Sequence, residues 1–149
     1  MGDVRDLRSA ASVRRQQQLV VDDEVVVRAE RSAPRAARHW VMRAVAGAGV
    51  TGATNQVVEL LTGELVSNAV VHGPDDGLIH VHVSVGPRLV RVGVSDDGPG
   101  RPTVSHPEPT APSGRGMALV EALAASWGTV ARGDGQPGKT VWFELDHTD

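Results

Sequence analysis

Three polar side chains recur at four-residue spacing in an otherwise apolar segment of the sequence. Residues four apart on a helix are neighbours, so the spacing predicts that Glu64, Asn68 and His72 line one face of a helix that ends at Gly73. An Asn oxygen suits a hard cation such as Mg²⁺, and a carboxylate one turn away could accept a proton or orient a hydroxyl. A surface helix with a solvated stripe would carry the same pattern, so this segment alone leaves both interpretations open.

A second candidate site is Asp96-x-Gly98-x-Gly100, which follows a β-rich segment. The carboxylate can accept a hydrogen bond from an exocyclic amine, and the two glycines remove side chains that would keep a flat ring from the backbone. An ordinary turn has a similar composition, so the motif is weak without its context.

A third candidate, Gly114-Arg115-Gly116, opens a segment with apolar residues at helical spacing. Backbone N–H groups at a glycine-rich helix start bind phosphate, and Arg115 would add a cation there. A glycine pair before a helix is common, so this motif too is weak alone.

Residues 133–140 match the P-loop pattern G-x-x-x-x-G-K-[ST], but their context argues against a P-loop. A P-loop opens a helix, whereas Thr140 leads into the β-rich residues 141–145. With residues 127–131 before it, this segment predicts a hairpin with a glycine-rich turn.

His80 and His82 have metal-ligand spacing on a predicted strand but no third ligand nearby, which favours a solvated sheet face.

Composition indicates one globular domain. With 149 residues, 40% hydrophobic and 22% charged, the chain can bury a sizeable core; we expect a flexible tail at 1–18 and a single domain at 19–149. The formal charge of −3 gives no electrostatic reason to expect nucleic acid, and the lack of cysteine excludes disulfides and thiolate catalysis. No apolar run is long enough to span a bilayer, so we expect a cytoplasmic protein with no membrane partner.

Hydrophobic periodicity predicts the elements that would position these residues. They are a strand within 19–31, a helix from a Ser32 cap to about Ala46, a long helix opening at Thr54 or Asn55, a hairpin of 78–85 with 89–95, a proline-rich loop at 101–113, a helix after Gly116 and the final hairpin. A loop as long as 101–113 is typical of a functional lid or of disorder.

The order of these motifs, more than any one of them, is informative. From about residue 20 to 145 the sequence resembles the GHKL (Bergerat-fold) ATP-binding domain. Within it, the chain is similar to bacterial anti-sigma factor serine/threonine kinases, particularly the small single-domain actinobacterial type. The similarity extends to the residues of two segments, Gly-Arg-Gly-Met-Ala-Leu-Val-Glu-Ala-Leu and Gly-Lys-Thr-Val-Trp-Phe-Glu-Leu.

The resemblance implies an α/β (α+β) two-layer sandwich, with a mixed, mostly antiparallel sheet and helices on one face. It also implies a role for each site residue. On the long helix, Asn68 would coordinate Mg²⁺, Glu64 would be the general base and His72 would have a supporting role. Asp96 would receive the adenine amine, Gly98 and Gly100 would shape the pocket, and Thr140 would support the adenine. Gly114, Arg115 and Gly116 would hold the phosphates.

The resemblance further implies ATP and Mg²⁺ as cofactors and a role in partner switching. The partners would be a sigma factor, which is sequestered, and a STAS-type anti-anti-sigma protein, which is phosphorylated on a serine; a homodimer is possible. Two alternatives stay open: a non-catalytic ATP-sensing regulatory protein of the same fold, and an α/β interaction domain with coincidental motifs. A sensor histidine kinase is disfavoured because the chain has no room for a separate dimerisation helix pair.

Overall fold

The computed structural model describes residues 20–73, 76–98, 115–131 and 138–147. The elements in chain order are β1 (Val21–Arg28), α1 (Ala33–Gly47), α2 (Gly52–His72), β2 (Leu78–Val85), β3 (Leu89–Asp96), α3 (Arg115–Leu123), β4 (Ser126–Ala131) and β5 (Lys139–Asp146). Each element predicted from periodicity is present, with shifted ends. The predicted tail at 1–18 and the proline-rich loop at 101–113 lie outside the described residues.

The strands form a five-stranded sheet in the order β1-β2-β3-β5-β4. All four described pairings are antiparallel, so the sheet is antiparallel where a mixed, mostly antiparallel one was expected. Lys139 and Thr140 lie inside β5, which confirms that the P-loop pattern does not open a helix here.

The hydrophobic core lies between one face of the sheet and the helices. Alternate residues of β2, β3 and β5 are buried, as period-two strands require. Phe143 and Leu61 are the largest fully buried side chains among the described residues, and α1 contributes Ala37, Val41 and Val45 to the core. The predicted two-layer sandwich with helices on one face is therefore confirmed.

The opposite face of the sheet carries paired polar side chains. His80 Nδ1 lies 2.9 Å from Glu24 Oε1, and His82 Nε2 lies 2.5 Å from Asp22 Oδ1 on the neighbouring strand. Within the described ranges, no three His, Asp or Glu side chains are grouped so that they could hold a metal ion. The two histidines thus belong to cross-strand pairs on a solvated face.

The connection between α1 and α2 differs in detail from the prediction. The Ser32 hydroxyl makes no capping hydrogen bond to α1; it donates instead to Glu30 Oε1, at 3.2 Å. Asn55 does not open α2, which begins three residues earlier at Gly52. The buried Asn55 amide donates to the carbonyl oxygens of Met42 (3.1 Å) and Val50 (2.9 Å), so it fastens the start of α2 to the end of α1.

Candidate functional site

Asp96 is the last residue of β3, and its carboxylate is buried where the sheet meets the end of α2. Its side chain is only 3% exposed. Oδ1 accepts hydrogen bonds from the backbone N–H of Gly98, at 2.7 Å, and from Lys139 Nζ, at 3.1 Å. Neither interaction uses Oδ2, and no other described residue provides a partner for it. As far as the described ranges extend, Oδ2 of this buried carboxylate remains for a hydrogen bond from a ligand.

Gly98 brings the chain after β3 against the end of α2. A Cβ atom at this position would lie 2.9 Å from Gly73 Cα, 3.2 Å from the carbonyl oxygen of His72 and 2.9 Å from Asp96 Oδ1. No side chain fits in that space, so glycine is required by close backbone approach. This backbone contact places the Asp96 motif against the end of the helix that carries Glu64.

Lys139 is the first residue of β5 and lies opposite Asp96 in the antiparallel register. Its side chain is 6% exposed, which is rare for lysine outside an ion pair. An ammonium group has three N–H donors, and the contact with Asp96 uses one of them. No second acceptor for Nζ is present among the described residues. Sequence reasoning missed this residue, because its place beside Asp96 depends on the register of β5 against β3.

Glu64 and Asn68 lie one turn apart on α2 and are half-buried, whereas His72 at the end of that helix is exposed. In the described part of the chain, neither the Glu64 carboxylate nor the Asn68 amide forms a hydrogen bond or an ion pair. Half-buried polar groups without protein partners are available to a ligand, its cation or a substrate hydroxyl. The backbone carbonyl oxygen of His72 lies close to Gly98, two residues after Asp96, whereas no contact of the His72 side chain with this site is described.

Thr140 is not brought to Asp96. Its hydroxyl oxygen lies 2.6 Å from Ser95 Oγ, and the two residues are paired across β3 and β5. Because successive side chains of a strand point to opposite faces, Thr140 and Lys139 lie on opposite sides of the sheet. The β5 residue that contacts Asp96 is therefore Lys139, one position before the residue expected from the resemblance.

The remaining predicted site residues fall at or beyond the limits of the described chain. Gly100 and Gly114 lie outside the described residues. Arg115 and Gly116 open α3, and only their backbone is described. α3 packs against α2, so the expected phosphate-binding helix start belongs to the helix that lies beside the Glu64 and Asn68 helix.

Comparison with known proteins defines the class of the chain. The profile of the histidine kinase-like ATPase domain matches residues 27–145, which include every described element except part of β1 and the last residue of β5. The chain belongs to this family, and the expected GHKL recognition is confirmed.

A solved structure of similar fold is that of the RsbU and RsbW domains of Rv1364c from Mycobacterium tuberculosis. It superimposes with a TM-score of 0.63 at 22% sequence identity over 87% of this chain. This chain spans 34% of the length of that one. No curated protein sequence matches the chain.

The residues around Asp96 fit the adenine of ATP, which the family implies. Among the described residues, Asp96 Oδ2 has no partner and suits the exocyclic amine, Lys139 Nζ has further donors that suit a ring nitrogen, and Gly98 presents no side chain.

A membrane-spanning helix requires sufficient length and hydropathy. None of the described helices is both long and apolar enough to cross a bilayer.

Proposed function

We propose that the chain is an ATP-binding anti-sigma factor serine/threonine protein kinase that acts in partner switching. The observation that carries the proposal is the buried Asp96 carboxylate, whose Oδ1 is fixed by the Gly98 N–H and Lys139 Nζ beside the end of α2. The same helix carries Glu64 and Asn68, and neither side chain is paired with another residue of the described ranges. In the proposal, Asp96 binds the base, Asn68 is the cation ligand and Glu64 is the general base, and the three residues belong to two adjoining elements.

Phosphoryl transfer requires positioning and charge neutralisation more than covalent help from the protein. In the proposal, Asn68 holds Mg²⁺ between the phosphates of ATP, and the helix start at Arg115 and Gly116 provides backbone N–H groups for them. Glu64 accepts the proton of the attacking serine hydroxyl. The substrate is a STAS-type anti-anti-sigma protein, and the sequestered partner is a sigma factor.

The family assignment and the similarity to an RsbW-containing structure support the proposal. A cytoplasmic location and a homodimer agree with such a role. The second candidate function is a non-catalytic ATP sensor that binds a regulator without transferring phosphate. It requires the same base pocket but no general base.

A transfer assay tests the proposal. Purified chain, Mg²⁺ and γ-labelled ATP are incubated with STAS-domain proteins encoded in the same genome, and labelled protein serine is measured. We expect wild type to label one of them, and Glu64→Gln to lose at least about a hundredfold in rate, as removal of a general base does, while it retains ATP binding. ATP binding without transfer to any STAS protein would favour the sensor.

A further inference from the structure

Lys139 is the only lysine in the 149-residue chain, whose other fourteen basic residues (not counting histidine) are all arginine. Its side-chain ammonium group is buried beside the Asp96 carboxylate. Burial of a charged group costs free energy unless its partners are in place, and Asp96 Oδ1 provides one partner for three donors. The remaining donors therefore call for an acceptor that the described part of the protein does not supply.

We propose that Lys139 is a specificity-determining residue that donates a hydrogen bond to N1 of the adenine ring, while Asp96 accepts from the exocyclic amine. The inference rests on the proposed function, because it assumes that the pocket binds ATP. On adenine, N1 is an acceptor and lies next to the amine donor. A carboxylate and an ammonium 3.1 Å apart present the complementary acceptor and donor side by side.

Burial selects N1 rather than N7. N1 and the amine lie on the edge of the base that is remote from the sugar, whereas N7 belongs to the ring that carries the sugar. The side chains of Asp96 and Lys139 are 3% and 6% exposed, so they meet the part of the base that enters deepest. The sugar and phosphates must therefore point away from the Asp96 and Lys139 side chains.

The same pair disfavours guanine. Guanine has an acceptor at position 6 and a donor at N1, so its edge presents the reverse order to Asp96 and Lys139. The Asp96 carboxylate is held by the Gly98 N–H, and Lys139 is held by the backbone of β5, which restricts exchange of the two groups. A buried polar group left without its partner penalises the wrong base strongly.

The test is calorimetric titration of the purified full chain with ADP, 1-deaza-ADP, 7-deaza-ADP and GDP. We expect 1-deaza-ADP, which lacks the N1 acceptor, to bind about tenfold or more weakly than ADP, as expected for loss of a hydrogen bond to a charged group. We expect 7-deaza-ADP to bind like ADP and GDP to bind more weakly. Lys139→Met should weaken ADP binding by a similar factor and remove the difference between ADP and 1-deaza-ADP.

A second readout does not depend on a variant that folds. Lysine labelled with ¹³C gives one side-chain spin system in this chain, and its Cε signal should shift on addition of ADP but much less on 1-deaza-ADP. Equal affinity of wild type for ADP and 1-deaza-ADP, or for ADP and GDP, would overturn this inference alone. Failure of wild type to bind ADP would overturn the proposed function with it.

Discussion

The buried pair of Asp96 and Lys139 should be strongly coupled in its contribution to the free energy of unfolding. Their side chains are 3% and 6% exposed, and their charged atoms lie 3.1 Å apart. Removal of one partner leaves the other charge buried without compensation, which costs about 3–5 kcal/mol. We expect Asp96→Asn and Lys139→Met each to lower the free energy of unfolding by about 3 kcal/mol. That leaves a folded majority in a domain with typical stability of roughly 5–15 kcal/mol.

The double variant should lose far less than the sum, because no uncompensated charge remains. With a coupling energy of about 2–3 kcal/mol, its loss would be about 3–4 kcal/mol. Urea unfolding of the four proteins, followed by circular dichroism with equal m-values, measures the cycle. Asp146→Asn, at the exposed end of β5, is the matched control and should change stability by less than about 0.5 kcal/mol. Additive losses in the double variant would refute the reasoning.

Further predictions concern the packing around the site and the core. Gly98→Ala should lower the free energy of unfolding by about 1–3 kcal/mol, because its Cβ would lie 2.9 Å from Gly73 Cα. Gly47→Ala, whose Cβ would have no atom within 4 Å, should be neutral or stabilise by up to about 1 kcal/mol. A larger loss of unfolding free energy for Gly47→Ala than for Gly98→Ala, measured by urea unfolding, would contradict the geometry. Phe143→Ala should cost about 3–5 kcal/mol, against less than about 0.5 kcal/mol for the exposed Val71→Ala; similar midpoint shifts for both would contradict the assigned core.

Most of the fold could be predicted from the sequence because its strands and helices have clean periods. Ile79, Val81 and Val83 alternate with polar residues in β2, and each of them is buried as a one-sided strand requires. The ends of α1 and α2 were less predictable. Ser32 has the residue type of a cap, but its hydroxyl bonds Glu30, and Asn55 has the type of a helix start, but its amide joins two helices. Local propensity does not include these tertiary partners.

The candidate site was predictable to the level of its motifs but not of its contacts. Asp96 and Gly98 were expected together, and the structure adds that the Gly98 backbone lies against the end of α2. Lys139 and Thr140 could not be distinguished by sequence pattern, since both belong to the Gly-Lys-Thr segment. The antiparallel register between β3 and β5 decides the matter, because it places Lys139 opposite Asp96 and Thr140 opposite Ser95. Pairing register is set by the whole sheet rather than by the segment itself.

The central claim is that the pocket at Asp96 binds ATP, and calorimetric titration of ATP in the presence of Mg²⁺ tests it most directly. We expect wild type and the surface control Asp146→Asn to bind equally. Asp96→Asn, checked to be folded by circular dichroism, should lose at least about tenfold in affinity, because its amide supplies no charged acceptor for the base. Unchanged binding by Asp96→Asn, or no binding by wild type, would contradict the assignment of the site.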